Sequence, residues 1–220
     1  MTLSSEIPQQ LVSKCSRWSK ELERLSDDES RVELIKHELP DLLRDKPFFA
    51  EIFEGIKKGD PYPDVRTATM FDNELMLFAD HRRHFSVRLF LWGPGEFVPI
   101  HDHNSWSVFG CVAGKIEALK YKREDDGPRE GYARLTETQR FKMRPGETDF
   151  TLPLNQGIHQ IGNPGEETSV SLSIYGRPIK RPYINGFDIY KRQIYRIFSP
   201  KTKKKKLAME VLKNFNRDTQ

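Results

Sequence analysis

Residues 93–114 read GPGEFVPIHDHNSWSVFGCVAG. A Gly-Pro-Gly turn feeds a short apolar step, after which His101 and His103 flank Asp102. On a strand, side chains two apart point to one face, so both imidazoles can approach a single point. A third histidine, His159, stands in PLNQGIHQIGN between Gly157 and Asn163, as in a strand entered and left through tight turns. Three neutral imidazoles from two strands suit a borderline transition metal such as iron, copper, nickel or zinc. Asp102 is read as pointing away and orienting the turn. His81 and His84, in the polar stretch ADHRRH, read as surface residues.

Around this segment the chain has a strand-and-turn character. From about residue 84 the runs FSVRLFLW, WSVFGCVAG, KIEALKYK, ARLTETQRF, TDFTLP, GIHQIGN and SVSLSIYG follow one another. GPGE, EDDGPREG, RPGE and NPGEE punctuate them. Short runs with turn signals and no helical period between them predict an antiparallel sandwich or small barrel. IYKRQIYRIF, further on, reads equally as strand or helix. Residues 7–58 read as helical, with Leu11, Cys15, Trp18 and Leu22, then Val32, Ile35 and Leu39, at three- and four-residue steps. Pro40 and Pro47 are expected to break that segment. The expected organisation is a helical cap over 1–65, a β-barrel over 66–198 and a basic C-terminal tail over 199–220.

Composition sets the outer limits. With 36% hydrophobic and 31% charged residues in 220, this is an ordinary globular chain able to bury a sizeable core. No apolar run is long enough to span a bilayer, and MTLSSEIPQQ lacks a signal-peptide pattern, so a cytoplasmic location is expected. Cys15 and Cys111 imply no disulfide framework; both read as core. The net charge of +4 is a property of the tail. Residues 201–220 carry seven basic and two acidic side chains, which leaves residues 1–200 at −1. A solvated tail is expected there and no membrane partner; contact of the tail with nucleic acid or an anionic membrane surface is the lesser expectation. The sequence is silent on oligomeric state.

Two stretches resemble the paired motifs of the cupin superfamily. The first runs from Gly95 through His101 and His103 to Ser107 and Gly114. The second runs from Gly146 through Pro153, Gly157 and His159 to Asn163. Ser107 stands where many cupins have a metal-binding glutamate. Three-histidine cupins of this pattern resemble the cysteine dioxygenase family, closest to bacterial thiol dioxygenases such as the 3-mercaptopropionate dioxygenases. The resemblance covers roughly residues 84–188 and rests on FSVRLFLWGPGEFVPIHDHNSWSVFG, GIHQIGN and SVSLSIYG.

That resemblance implies a mainly β fold, the double-stranded β-helix, holding Fe(II) with His101, His103 and His159. It implies a small thiol acid, of the cysteine or 3-mercaptopropionate type, and dioxygen as substrates, and a sulfinate as product. A Ser-x-His-x-Tyr set lies beside the iron in the family; here it reads Ser171, Ser173 and Tyr175, with Ser173 replacing the histidine. Val108 occupies the place of the crosslinking cysteine of mammalian members, and Leu75 that of their substrate arginine. Bacterial relatives take an arginine from the segment after the tyrosine strand. The candidates for the substrate carboxylate are therefore Arg181, then Arg177, then Arg88 on FSVRLFLW. Trp106 reads as pocket wall or core. The alternatives are another metal-dependent cupin enzyme, an isomerase or a dioxygenase of a carbon substrate, or a non-catalytic ligand-binding cupin.

Overall fold

The computed structural model describes residues 6–67, 69–127 and 129–217. Three helices come first: α1 (Gln9–Glu23), α2 (Asp28–Leu43) and α3 (Lys46–Lys58). α1 buries Leu11, Cys15, Trp18 and Leu22, and α2 buries Val32, Ile35 and Leu39, the two stripes the spacing predicts. Pro40 does not break the segment: it lies inside α2, which runs on to Leu43. So close to the helix end it forfeits one backbone hydrogen bond without ending the coil. The break falls at Asp45, whose carboxylate caps α3 by accepting from the Phe48 amide 3.0 Å away, with Pro47 in the first turn.

Eight strands form the barrel: β2 (Phe85–Trp92), β3 (Ile100–His101), β4 (Ser107–Ala113), β5 (Ile116–Arg123), β6 (Leu135–Met143), β7 (Thr148–Thr151), β8 (His159–Gly162) and β9 (Ser169–Gly176). β5 pairs with β6, β4 with β7, β3 with β8 and β2 with β9, all antiparallel. Successive pairs of this nested hairpin fall alternately in two sheets. A hairpin wound in that way is a double-stranded β-helix, so the mainly β class, with helices at its N-terminal side, follows from the pairing itself. The seven runs read from sequence are β2 and β4 to β9. β1 (Glu74–Ala79) extends the β2 edge, while β10 (Tyr183–Asp188) and β11 (Gln193–Phe198) extend the other sheet. β11 settles the ambiguous stretch as strand, and the basic tail forms helix α4 (Pro200–Arg217). Among the described residues no helix is long and apolar enough to cross a membrane.

β2 and β9 have both faces covered: one packs on the helices and the other turns inward. Val87, Leu89, Leu172 and Ile174 pack outward against Leu11, Trp18, Ile35 and Phe48 of the helices. The inward positions carry Arg88, Phe90 and Trp92 on β2, facing Ser171, Ser173 and Tyr175 on β9. Polar side chains aimed into a barrel core cost free energy unless they are partnered or used. They lie beside the three histidines.

Candidate metal centre

His101 ends β3, His159 begins β8, and the two face each other directly in the ladder. His103 lies beyond β3, in the loop leading to β4, so the period-two argument that joined it to His101 is not what places it. It converges all the same. The ring nitrogens of His101, His103 and His159 lie within 4.8 Å of one another, and all three side chains are buried. The Nε2 atoms of His103 and His159 stand 2.9 Å apart. Gly157 admits this approach of chains: a Cβ there would collide with the Leu152 carbonyl.

The donor set fits a transition metal. The Nδ1–H of His101 donates to the Pro99 carbonyl at 2.9 Å, which leaves its Nε2 lone pair bare. His159 buries Nδ1 without a hydrogen-bond partner among the described residues and turns Nε2 toward His103. Burial pushes all three imidazoles below the ordinary histidine range, His103 and His159 furthest. Mutual repulsion with neighbouring imidazoles adds to it for His103 and His159, as does Arg181 for His103 and Lys120 for His159. Three neutral nitrogen donors therefore meet in a dry site, and a borderline divalent ion satisfies all three at once. Phe71 meets His101 edge-on at 5.4 Å, and Phe109 meets His159 edge-on at 5.3 Å.

The two sides of this trio differ. Toward the barrel interior, Phe90, Trp92, Phe109 and Ile161 leave a space of only about 10 Å³. Toward solvent a cavity of about 240 Å³ opens onto His101 and His103, walled by Met70, Phe71, Arg88, Tyr175, Pro178 and Ile184. Of these two sides, the one toward solvent has room for a ligand beside the trio.

Tyr175 stacks against His103 with ring centroids 6.0 Å apart. Burial, and then the charge of Glu74, push its phenol well above the ordinary tyrosine range, against the opposing influence of Arg88 and a hydrogen bond with Ser173. It is a neutral donor near pH 7. Ser171 accepts from the Trp92 indole N–H at 2.9 Å, so it props the deep wall rather than the open cavity. Ser107 bonds Thr151 across to β7 at 2.7 Å. Val108 lies on the helix-facing side of β4, away from Tyr175.

The three arginines lie in three different settings. Arg181 does not line the cavity: its guanidinium is closed on the fully buried Asp102, Nη1 to Oδ2 at 2.9 Å and Nη2 to Oδ1 at 2.6 Å. Its Nε donates to Asn104 at 2.6 Å, and Asn185 gives Asp102 two further bonds. Arg177 lines a separate cleft with Glu23, Asp28, Arg31, His84 and Trp106. Trp106 is core, its ring filling the space a Cβ on Gly176 would need. Arg88 is the cation on the cavity wall. It pairs with Glu74, whose side chain is fully buried, donates from Nε to Ser86 at 3.2 Å and lies 5.1 Å over the Tyr175 ring. Its Nη2 has no hydrogen-bond partner among the described residues. Glu74 was not singled out from sequence; its other oxygen accepts from the Met70 and Phe71 amides at 3.0 and 3.3 Å. A glutamate opening an apolar strand, ELMLFA, was the available signal.

No family model matches the chain. Among solved structures it is similar to an RmlC-like cupin protein from Ralstonia eutropha, 16% identical over 66% of this chain and 74% of that one, TM-score 0.37. It is also similar to the cupin domain of an XRE family transcriptional regulator from Enterobacter cloacae, 15% identical over 48% and 96%, TM-score 0.34. A third is a DMSP lyase from Ruegeria pomeroyi, 15% identical over 55% of each chain, TM-score 0.36. These likenesses concern the fold alone; chemistry has to be read from the site.

Proposed function

We propose that this chain is a non-haem iron dioxygenase that converts a small thiol acid, of the cysteine or 3-mercaptopropionate type, into its sulfinate. One observation carries the reading. A trio of buried neutral imidazoles shares the cavity on its solvent side with a protonated phenol and a guanidinium that has a free edge among the described residues. In the overall reaction both atoms of dioxygen end on sulfur, the S–H bond is lost, and one proton is released with the sulfinate.

A ferrous ion held by His101, His103 and His159 would supply the template on which thiol sulfur and dioxygen meet, and the means of passing electrons between them. The remaining work belongs to the side chains. Arg88 offers Nη2 to the substrate carboxylate, a charge-assisted bond, while Glu74 and Ser86 hold its other nitrogens. Tyr175 keeps its proton and donates a hydrogen bond into the cavity beside His103. Met70, Phe71, Pro178 and Ile184 keep the walls largely apolar. At about 240 Å³ the cavity is below the ~300–1,000 Å³ of drug-sized sites, which suits a substrate of few heavy atoms.

The test is metal analysis of the purified protein followed by oxygen-electrode assays over a panel of thiols, with product identification. Bound iron and oxygen uptake that depends on a thiol acid are expected. His159→Ala is expected to lose both while far-UV circular dichroism is unchanged. Iron-loaded protein whose oxygen uptake ignores every thiol would sink the proposal.

A further inference from the structure

α4 (Pro200–Arg217) is built unlike the rest of the molecule. It carries seven basic residues and one acidic one, Glu210. Every residue from 203 to 212 is exposed, including Leu207 at 51%, Val211 at 46% and Leu212 at 59%. At 100° per residue, Leu207, Val211, Ala208 and Leu212 span an arc of about 140° on one side. Lys203, Lys206 and Glu210 lie on the other, while Lys201 and Lys204, nearer the start of the helix, fall on the leucine side. Helices α1 and α2 bury their apolar stripes; α4 leaves its own uncovered.

The first turns of α4 concentrate positive charge. Lys201, Lys203, Lys204, Lys205 and Lys206 crowd the end where the backbone dipole is already positive, and no acidic residue stands in the first turn. Among the described residues only Lys206 has a carboxylate within ion-pair reach, Glu210 at 3.7 Å. Beside these turns a groove of about 340 Å³ has a floor of Ile197, Phe198 and Leu207 and a rim of Arg196, Lys203 and Lys206. An uncovered apolar arc, a cationic end and an apolar groove rimmed by cations are complementary to one surface, that of an anionic bilayer, where acyl chains lie under phosphate and carboxylate groups. A nucleic acid would use the lysines and leave the leucine arc idle.

We propose that α4, together with the groove against β11, docks this protein on an anionic membrane surface, the leucine arc entering the interface and the lysines meeting lipid headgroups. An anionic membrane surface, one of the lesser expectations for the tail, is the one this geometry favours. The docking face is separate from the histidine cavity, so it stands whatever that cavity catalyses.

The experiment is co-sedimentation of the full chain with vesicles of phosphatidylcholine alone and of phosphatidylcholine mixed with phosphatidylserine. Binding to the mixed vesicles is expected to exceed binding to the neutral ones by about tenfold or more and to fall as salt shortens the screening length. Leu207→Ser with Leu212→Ser, which keeps every charge, is expected to weaken it by about tenfold or more. Lys203→Gln with Lys204→Gln and Lys205→Gln is expected to do the same by removing the electrostatic part. All five side chains are exposed, and unchanged circular dichroism confirms that the barrel is intact. Absence of binding to the mixed vesicles overturns the proposal. So does undiminished binding by the serine variant, the mark of a simple polyanion contact that RNA would displace. So does light scattering that shows a dimer split by the serine variant with no vesicle binding.

Discussion

Two buried carboxylates, each holding an arginine, flank the histidine trio, and they do opposite things. Asp102 sits between two of the histidines and closes on Arg181; both its oxygens and the whole guanidinium fork are consumed, with Asn104 and Asn185 taking the rest. Glu74 takes only one edge of Arg88 and spends its second oxygen on the Met70 and Phe71 amides. The first pair is a staple. It ties the loop of His103 to the segment entering β10, and so replaces the strand pairing that His103 lacks. The second is a mount that presents a spare guanidinium edge to the cavity. The same two residue types become scaffold or binding group according to how many hydrogen bonds are left over.

Breaking the staple should have the largest effect. Asp102→Ala leaves the Arg181 charge buried without its partner, an expected loss of about 3–5 kcal/mol, measured by urea denaturation. Arg181→Lys keeps the charge but not the two parallel bonds. It is expected to lower cobalt(II) affinity by about 10–100-fold, read from visible absorption during titration, with little change in the unfolding midpoint. Equal cobalt affinity in Arg181→Lys and wild type would show that the staple does not orient His103.

Altering the mount should act on substrate alone. Arg88→Gln is expected to raise KM for a thiol acid by about 10–150-fold, the worth of one charge-assisted bond of about 1.5–3 kcal/mol, with metal affinity unchanged. A KM that does not move in Arg88→Gln but rises in Arg181→Lys would restore the order expected from sequence.

The smallest effect is in the pH dependence of the metal-free protein. The imidazoles of His101, His103 and His159 are held below their ordinary pKa, so below about pH 6.5 the unfolded chain binds protons that the folded one refuses. Stability is therefore complete above that pH and declines as pH falls through it. Unfolding midpoints measured from pH 8 down to pH 5 should show the decline, and His103→Gln, which removes one such group, should make it shallower.

Much of this was legible in the chain before any coordinates. Runs of period two, separated by glycine and proline turns, specified seven of the eight barrel strands because strand pairing needs only alternation and tight reversal. The spacing of His101, His103 and His159 marked the candidate metal centre: His101 and His159 face each other across the β3–β8 ladder, while His103 joins them from the loop beyond β3, which strand alternation does not explain. β1 escaped notice because both its faces are partly covered and ELMLFA lacks clean alternation. Pro40 misled because a proline near the end of a helix costs too little to stop it.

Spacing along the chain was sufficient for seven barrel strands and for singling out the histidines. The arginines were another matter: their roles are set by which carboxylate lies within a few ångströms, and Asp102 and Glu74 reach Arg181 and Arg88 across strands that only folding makes neighbours. α4 belongs with them. Its lysines are plain in the sequence, but that its apolar arc stays uncovered is a fact about what the rest of the molecule does not place beside it.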